Sequence, residues 1–230
     1  MPDPRPEAPP RAAPAPLLTL ADYERDRDGL RRRALAHKQR RCVELGPSMR
    51  LQFEDRLTLQ HQLHEVLRAE RVEDPAERLR EWAAYAALWP DGRSWCATLS
   101  IELPDAGQRR RELPLLNDAV HHVHLELPGR RRVWADVNAD LPDRHRGRPS
   151  GVHFVRFELP PVLRRQLRAG VAAVLGCDHP QYRWRRVLPA RVGESLLADL
   201  APDPISSVET PRCTDPTTPL ARPTAAATPA

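Results

Sequence analysis

The distribution of proline sets the limits of the part of this chain that can fold. Seven of its 26 prolines lie in residues 1–16 and another seven lie in residues 201–230, among Ala, Thr, Ser and a few charged residues. Such segments bury too little apolar surface to offset an ordering entropy of about 1–2 kcal/mol per residue. We therefore predict two disordered tails, residues 1–16 and 201–230, on either side of one folded domain at residues 17–200.

The charges and the cysteines argue against several classes of protein. The chain has 36 Lys and Arg residues against 31 Asp and Glu residues, a formal charge of +5 at pH 7. It has no continuous basic helix and no basic face interleaved with aromatic residues, which disfavours a nucleic-acid partner. The four cysteines have no CxxC spacing, which argues against a disulfide framework and against a thiolate metal site.

Nothing in the hydropathy of the chain indicates a membrane or an export signal. The first residues are prolines and acidic residues, where a signal peptide has a basic start and an apolar run. No apolar stretch approaches the ~20 residues that span a bilayer. We therefore expect a cytoplasmic protein without a membrane association.

Helix caps and hydrophobic periodicity predict the helices. Thr19 stands at the N-cap position of a first helix, and Asp74 followed by Pro75 marks the start of a later one. The periodicity of that later helix points Leu79 and Trp82 toward the core.

The strands are predicted from alternation. The stretch "SWCATLSIELP" alternates apolar and polar residues, as a half-buried antiparallel strand does. The stretch "GVAAVLG" is apolar on both faces, as in a central strand, and we expect "DHPQYRW" after it to be a loop. Because strands and helices come in runs, we predict an α+β fold with a mostly antiparallel sheet and flanking helices.

Two histidine-rich stretches are weak metal motifs. His61, His64 and Glu65 lie in the order H-x-x-H-E, which is neither H-E-x-x-H nor its inverse. Their spacing fits a solvated helix face with an i,i+4 pair. The stretch "VHHVH" puts His122 and His124 on one strand face, where two histidines bind a metal only if a third ligand arrives from elsewhere. An exposed strand face is the simpler interpretation.

The strand "SGVHFVRFEL" has charged residues where a sheet is usually apolar. His153 lies on one face of this strand and Arg156 lies on the other. Arg156 needs a carboxylate partner, because an unpaired buried charge costs several kcal/mol. Among Glu65, Glu70 and Glu102, we expect the partner to be Glu65 or Glu70.

The stretch "CDHPQYRW" is a second candidate site. Asp178, His179 and Tyr182 directly follow an apolar strand, where sites are often built. Alternatively, Asp178 and His179 cap a turn before Pro180, and Tyr182 packs on that turn. We expect His179 and His153 to lie close enough to share a site, as metal ligands or as general bases.

Four blocks carry a resemblance to a known family. "FEDRLTLQHQLHEVLRAER", "LWPDG" with the following "ATLSIELPD", "SGVHFVRFEL" and "DHPQYR" occur in an order and spacing that resemble a bacterial family of unknown function, DUF3501, over about residues 19–200. The resemblance implies a redox or oxidative-stress setting, because members look like companions of rubrerythrin-like and iron–sulfur oxidoreductase proteins. It implies no particular cofactor. The residues that it places in the family pattern are Gln62, Glu65, Arg68, Glu70, His153, Phe154, Arg156, Phe157, Asp178, His179, Pro180 and Tyr182.

These observations support two functional hypotheses. The first is a non-enzymatic accessory or binding protein in a cytoplasmic redox system, which binds a redox-type protein partner or a small ligand near His153, Arg156 and His179. The second is a metal-dependent or acid–base enzyme that acts on a small anionic substrate, since a histidine with a pKa near neutrality suits proton transfer. In the second hypothesis His153 and His179 are metal ligands or bases, Tyr182 is a further catalytic candidate, and the binding candidates are Arg156, Arg68, Glu65, Glu70, Gln62 and Asp178. The oligomeric state stays open.

Overall fold

The computed structural model describes residues 17–85, 88–130, 132–137 and 149–201. Apart from Ala201, the two predicted tails lie outside these ranges, so the domain limits remain predictions. Within the described residues, no helix has both the length and the apolar character that crossing a bilayer requires.

The described residues form six α-helices and two antiparallel sheets, which confirms the predicted α+β class. The helices are α1 (Leu20–Gln39), α2 (Arg56–Ala69), α3 (Pro75–Tyr85), α4 (Ala106–Ala119), α5 (Pro161–Arg168) and α6 (Ala190–Leu197). The strands are β1 (Cys42–Leu45), β2 (Met49–Phe53), β3 (Ser94–Ile101), β4 (Val123–Glu126), β5 (Val133–Trp134), β6 (Asp136–Val137), β7 (Val152–Glu158), β8 (Val174–His179) and β9 (Tyr182–Val187).

The first sheet has the order β1-β2-β3-β7-β6 and the second has the order β5-β4-β8-β9. In the first sheet, β3 pairs with β7 over seven residues, so that Leu99 lies opposite His153 and Cys96 lies opposite Arg156. One apolar core joins the two sheets and helices α4, α5 and α6. Its largest side chain, Trp95, also donates its indole N–H to the Leu196 carbonyl in α6, at 3.0 Å.

The helix caps agree with the sequence signals. Thr19 Oγ1 accepts the Asp22 N–H at 3.1 Å, and Asp74 Oδ2 accepts the Glu77 N–H at 2.9 Å. The expected buried face of α3 is only partly realised, because Leu79 is 64 % exposed. Helix α4 was not predicted from the sequence. It contains Pro114 and begins at an Asp105 cap.

The stretch "DHPQYRW" is not a loop, as the sequence analysis predicted, but the second half of a hairpin. Strand β8 continues through Asp178 to His179, the chain turns at Pro180 and Gln181, and β9 begins at Tyr182. In this pairing His179 lies opposite Tyr182. The hairpin therefore puts Asp178, His179 and Tyr182 beside its turn, at one end of the second sheet.

Candidate functional site

The predicted site residues lie in three parts of the fold. Gln62, Glu65, Arg68 and Glu70 belong to α2 and its C-cap, His153 and Arg156 belong to β7, and Asp178, His179 and Tyr182 belong to the β8–β9 hairpin. Each group has its own partners, which decide what it can do chemically.

In the α2 group, Glu65 binds helix α1. Its carboxylate accepts two hydrogen bonds from Arg27, each at 2.8 Å, and one from the Tyr23 hydroxyl at 2.7 Å. Arg68 lies 3.5 Å away on the same side. The Arg27 hydrogen bonds, more than any other contact, lower the pKa of Glu65 to about 2. The carboxylate of Glu65 thus joins helices α1 and α2. Glu70 is exposed at the end of α2.

In the β7 group, the predicted partner of Arg156 is wrong. Nη1 of Arg156 donates to Ser94 Oγ at 2.9 Å and to Asp91 Oδ2 at 3.3 Å, and Glu158 lies 3.9 Å away. The antiparallel register of β7 and β3 brings Arg156 to the start of β3, where Asp91 precedes the strand. Glu65 of helix α2 instead forms an ion pair with Arg27 of helix α1.

Asp91 is held on both carboxylate oxygens. Its Oδ1 accepts the backbone N–H groups of Arg93 and Ser94, each at 2.8 Å, and the Ser94 hydroxyl at 2.9 Å, while Oδ2 accepts from Arg156. Burial raises the pKa of Asp91, but the donors and the guanidinium together leave it below the ordinary value. The Asp91–Arg156 pair is therefore a structural ion pair that closes the β3–β7 end of the sheet.

His153 also has an internal partner. It is 4 % exposed, and its Nε2 lies 2.9 Å from the Ser150 carbonyl oxygen. The ring therefore donates to the chain that enters β7. Such a histidine fits a structural role.

In the hairpin group, Tyr182 anchors the β1–β2 turn. Its hydroxyl donates to the Leu45 carbonyl at 2.6 Å and accepts the Ser48 N–H at 3.2 Å. Burial raises the pKa of this hydroxyl. The turn has Gly46 at φ 73°, where a Cβ would stand 2.6 Å from the Tyr182 oxygen. The hydroxyl thus both donates and accepts a hydrogen bond within the fold, which fits a structural role.

His179, by contrast, belongs to a cluster that can hold a metal ion. Asp118 near the end of α4, His122 one turn later and His179 at the end of β8 each offer one ligand atom, and the three atoms lie within 4.8 Å of one another. Nε2 of His179 is 3.3 Å from Asp118 Oδ2, and the two imidazole rings are 5.1 Å apart. His179 is buried, His122 is half-buried and Asp118 is exposed. The cluster is thus open to solvent on the Asp118 side.

Charged residues surround this cluster on the hairpin side. Asp178 Oδ1 lies 3.6 Å from Nδ1 of His122, while Asp178 Oδ2 accepts a short hydrogen bond from Arg132. Arg132 also donates from Nε to Glu126 at 3.2 Å. Asp178 is therefore held in place by Arg132 with one oxygen directed at His122.

The hydrogen bonds of His179 define its proton position in the absence of a metal. Its Nδ1 accepts the Gln181 N–H at 3.3 Å, so the proton of the neutral ring is on Nε2 and points at Asp118. A metal ion on Nε2 would replace this proton.

His179 was predicted as a site residue from the sequence, but Asp118 and His122 were not. No sequence pattern indicated Asp118 as a site residue, because helix α4 was not predicted. His122 was assigned to an exposed strand face, whereas it ends a 3₁₀ turn (Val120–His122) that points it at His179. Among the described residues, the group that could hold a metal ion does not contain His153. The prediction that His153 and His179 share a metal site is therefore not supported.

A buried arginine, also missed, organises a second polar region. Arg41 is 1 % exposed, donates to the carbonyls of Phe53 and Ser195, and pairs with Asp199. Burial raises the pKa of Asp199 to about 6. Asp55, Asp91 and Asp199 line a cavity of about 470 Å³ here. Because all three carboxylates already bind arginine or backbone N–H groups, we interpret this region as a structural network.

Comparisons with known proteins give one similar solved structure and one family. A solved structure described as a novel protein of unknown function from Burkholderia pseudomallei K96243 is 38% identical, with a TM-score of 0.77, and the match covers 80% of this chain and 96% of that chain. No curated protein matches. The model of the family described as protein of unknown function (DUF3501) matches residues 13–200. The chain therefore belongs to the DUF3501 family.

Proposed function

We propose that this protein binds one divalent transition-metal ion through Asp118, His122 and His179, and that it serves as an accessory binding protein in a cytoplasmic redox system. The observation on which the proposal rests is the convergence of the three ligand atoms within 4.8 Å, from helix α4, the 3₁₀ turn that follows it and strand β8.

The donor set suits a first-row transition metal. Ligands at about 2.0–2.2 Å from a tetrahedral ion are roughly 3.3–3.6 Å apart. The distance between His179 Nε2 and Asp118 Oδ2 is 3.3 Å, which lies in this range. Two imidazoles and one carboxylate suit zinc and non-haem iron(II), and they leave coordination positions open.

Asp178 supports the ligand His122. Metal-binding histidines usually donate their second ring N–H to a carboxylate, which fixes the ring orientation. Asp178 stands 3.6 Å from Nδ1 of His122 and is itself held by Arg132. In the proposed site Nε2 of His122 then faces the ion.

The hydrogen bond from the Gln181 N–H to His179 Nδ1 makes metal binding less favourable. An ion on Nε2 requires the ring proton on Nδ1, where it would meet the N–H of Gln181. The ring or the turn must therefore shift, with the loss of one hydrogen bond, about 1 kcal/mol. We expect an exchangeable ion rather than a permanently held one.

The redox setting rests on the family resemblance, and the cytoplasmic location has independent support. The cysteines in the described ranges, Cys42, Cys96 and Cys177, are free thiols, as is usual in a reducing compartment.

The alternative function, a metal-dependent enzyme acting on a small anionic substrate, would use the same site, because the open coordination positions can accept a substrate oxygen. Turnover by the metal-loaded protein would distinguish the two functions.

Metal titration of the tag-free protein tests the site. Calorimetry with Zn²⁺, and with Fe²⁺ under anaerobic conditions, should give one ion per chain. Asp118→Asn and His179→Gln should each weaken binding by at least about 10–100-fold. The matched control is His121→Gln, because His121 is an exposed neighbour outside the cluster.

Two outcomes contradict the proposal. One is a native protein that binds neither ion. The other is an equal loss of affinity in His121→Gln and in the ligand variants, which would indicate nonspecific binding by surface histidines.

A further inference from the structure

A cavity with a different character is lined by residues that do not include the proposed metal ligands. It has a volume of about 460 Å³ and opens between the end of α5, the end of β9 and helix α6. Its wall is mainly apolar and includes Trp95, Leu167, Val171, Leu188 and Leu197. A cavity of this size and lining is typical of small-molecule sites.

Gly193 deepens this cavity at a cost to its own helix. It lies inside α6, where glycine is less favourable than every residue except proline. A Cβ on Gly193 would meet no atom within 4 Å, and its φ is not in the left-handed region. Neither the packing of the chain nor its backbone therefore requires glycine. An occupant of the cavity would explain it, because the missing side chain leaves room beside the helix.

Glu194 gives the cavity its charge preference. It is the charged side chain in the lining, and it forms no ion pair within the described ranges. At the cavity mouth, Val187 is 59 % exposed, which extends the apolar wall to the surface. An apolar wall with one free carboxylate complements a molecule with an apolar body and a single positive charge.

We propose that this cavity binds a small amphiphilic organic cation, with its apolar body beside Gly193 and its ammonium group at Glu194. The site is independent of the proposed metal ion, so either proposal can fail without the other.

Binding of a matched series of alkyl probes to the full chain tests the proposal. The probes are octylammonium, decylammonium, decanol and decanoate, titrated by calorimetry below their aggregation limits. Decylammonium should bind most tightly and decanoate most weakly. Each added methylene should strengthen binding by about 4-fold, from the free energy of burying one CH₂ group.

Substitutions then separate the two features of the site. Glu194→Gln should weaken decylammonium binding by about 3–5-fold and leave decanol unchanged. Gly193→Leu should abolish binding of all four probes, because its side chain enters the cavity. Gly193→Ala is the matched control, since it improves helix propensity and leaves most of the cavity open.

A second variant, Val187→Trp, tests the cavity if Gly193→Leu does not fold. Val187→Trp changes an exposed position and narrows the mouth, so it should weaken all probes in a folded protein. The proposal is overturned if no probe binds, if decanoate binds as tightly as decylammonium, or if Glu194→Gln leaves the preference for the cation unchanged. Undiminished binding in folded Gly193→Leu also overturns it.

Discussion

His153 and His179 are both buried strand histidines, yet their surroundings give them different chemistry. His153 is 4 % exposed and His179 is 8 % exposed. The first lies inside β7, between two neighbouring strands, and binds the Ser150 carbonyl. The second ends β8 at a turn and faces the exposed carboxylate of Asp118. The side chains that other elements bring to each ring, rather than burial, separate a structural histidine from a candidate ligand.

The reason is the access that each position allows. Buried polar groups on a strand that has neighbouring strands on both sides have to find partners within the chain. At a strand end beside a turn, other elements can bring in side chains that remain open to solvent. Arg156 follows the first pattern through Asp91, and Asp178 follows the second through His122 and Arg132.

The largest effect that we expect is in the Asp91–Arg156 pair. Asp91→Ala should lower the free energy of unfolding by about 3 kcal/mol, because it removes the carboxylate that pairs with the nearly buried Arg156 guanidinium and that accepts two backbone N–H groups. Arg156→Met should cost clearly less, since Asp91 keeps its other donors. Urea denaturation measures both. A loss of metal binding in Arg156→Met would break the comparison between the two regions.

The two histidines should respond in opposite ways to substitution. His153→Leu should lower the unfolding free energy by about 1–3 kcal/mol, because the Ser150 carbonyl loses its donor, and should leave metal affinity unchanged. His179→Leu should remove metal binding with a smaller effect on the metal-free protein. Denaturation and metal titration of both variants give the four values. Equal loss of metal affinity in the two variants would mean that His153 belongs to the site.

Tyr182→Phe sharpens the comparison within the hairpin. It should cost about 1–2 kcal/mol, because the Leu45 carbonyl and the Ser48 N–H both lose the hydroxyl. Metal affinity should stay within about twofold of the native value. Thermal denaturation and titration of the same samples measure the two effects, and a large drop in affinity would instead assign Tyr182 to the site.

The smallest effect is the pH dependence from Glu65. Its folded pKa is about 2, below its ordinary value of 4.5. Because the folded pKa is depressed, the stabilisation is fully present above about pH 4.5 and is lost as the pH falls toward 2. The difference in melting temperature between the native protein and Glu65→Gln should therefore shrink across this window. A constant difference would show that the Arg27 pair does not hold Glu65 ionised.

Local signals were sufficient for most of the elements but not for the site. The caps at Thr19 and Asp74 act over three residues, and the alternation around Trp95 reports one face of one strand, so both could be predicted. Helix α4 has Pro114 in its interior, a residue that normally argues against a helix, and so its carboxylate Asp118 had no predicted place.

The sequence by itself determined the family, the α+β class and the polar residues of β7 and the hairpin, because these depend on patterns within short stretches. Only the tertiary structure decided the partners. Arg156 met Asp91 through the β3–β7 register, and His179 met Asp118 and His122 through the packing of α4 on the second sheet. Ion pairs and metal sites depend on distances of a few ångströms between residues far apart in the chain. Periodicity and capping act over a few neighbouring residues, and they contain no information about those distances.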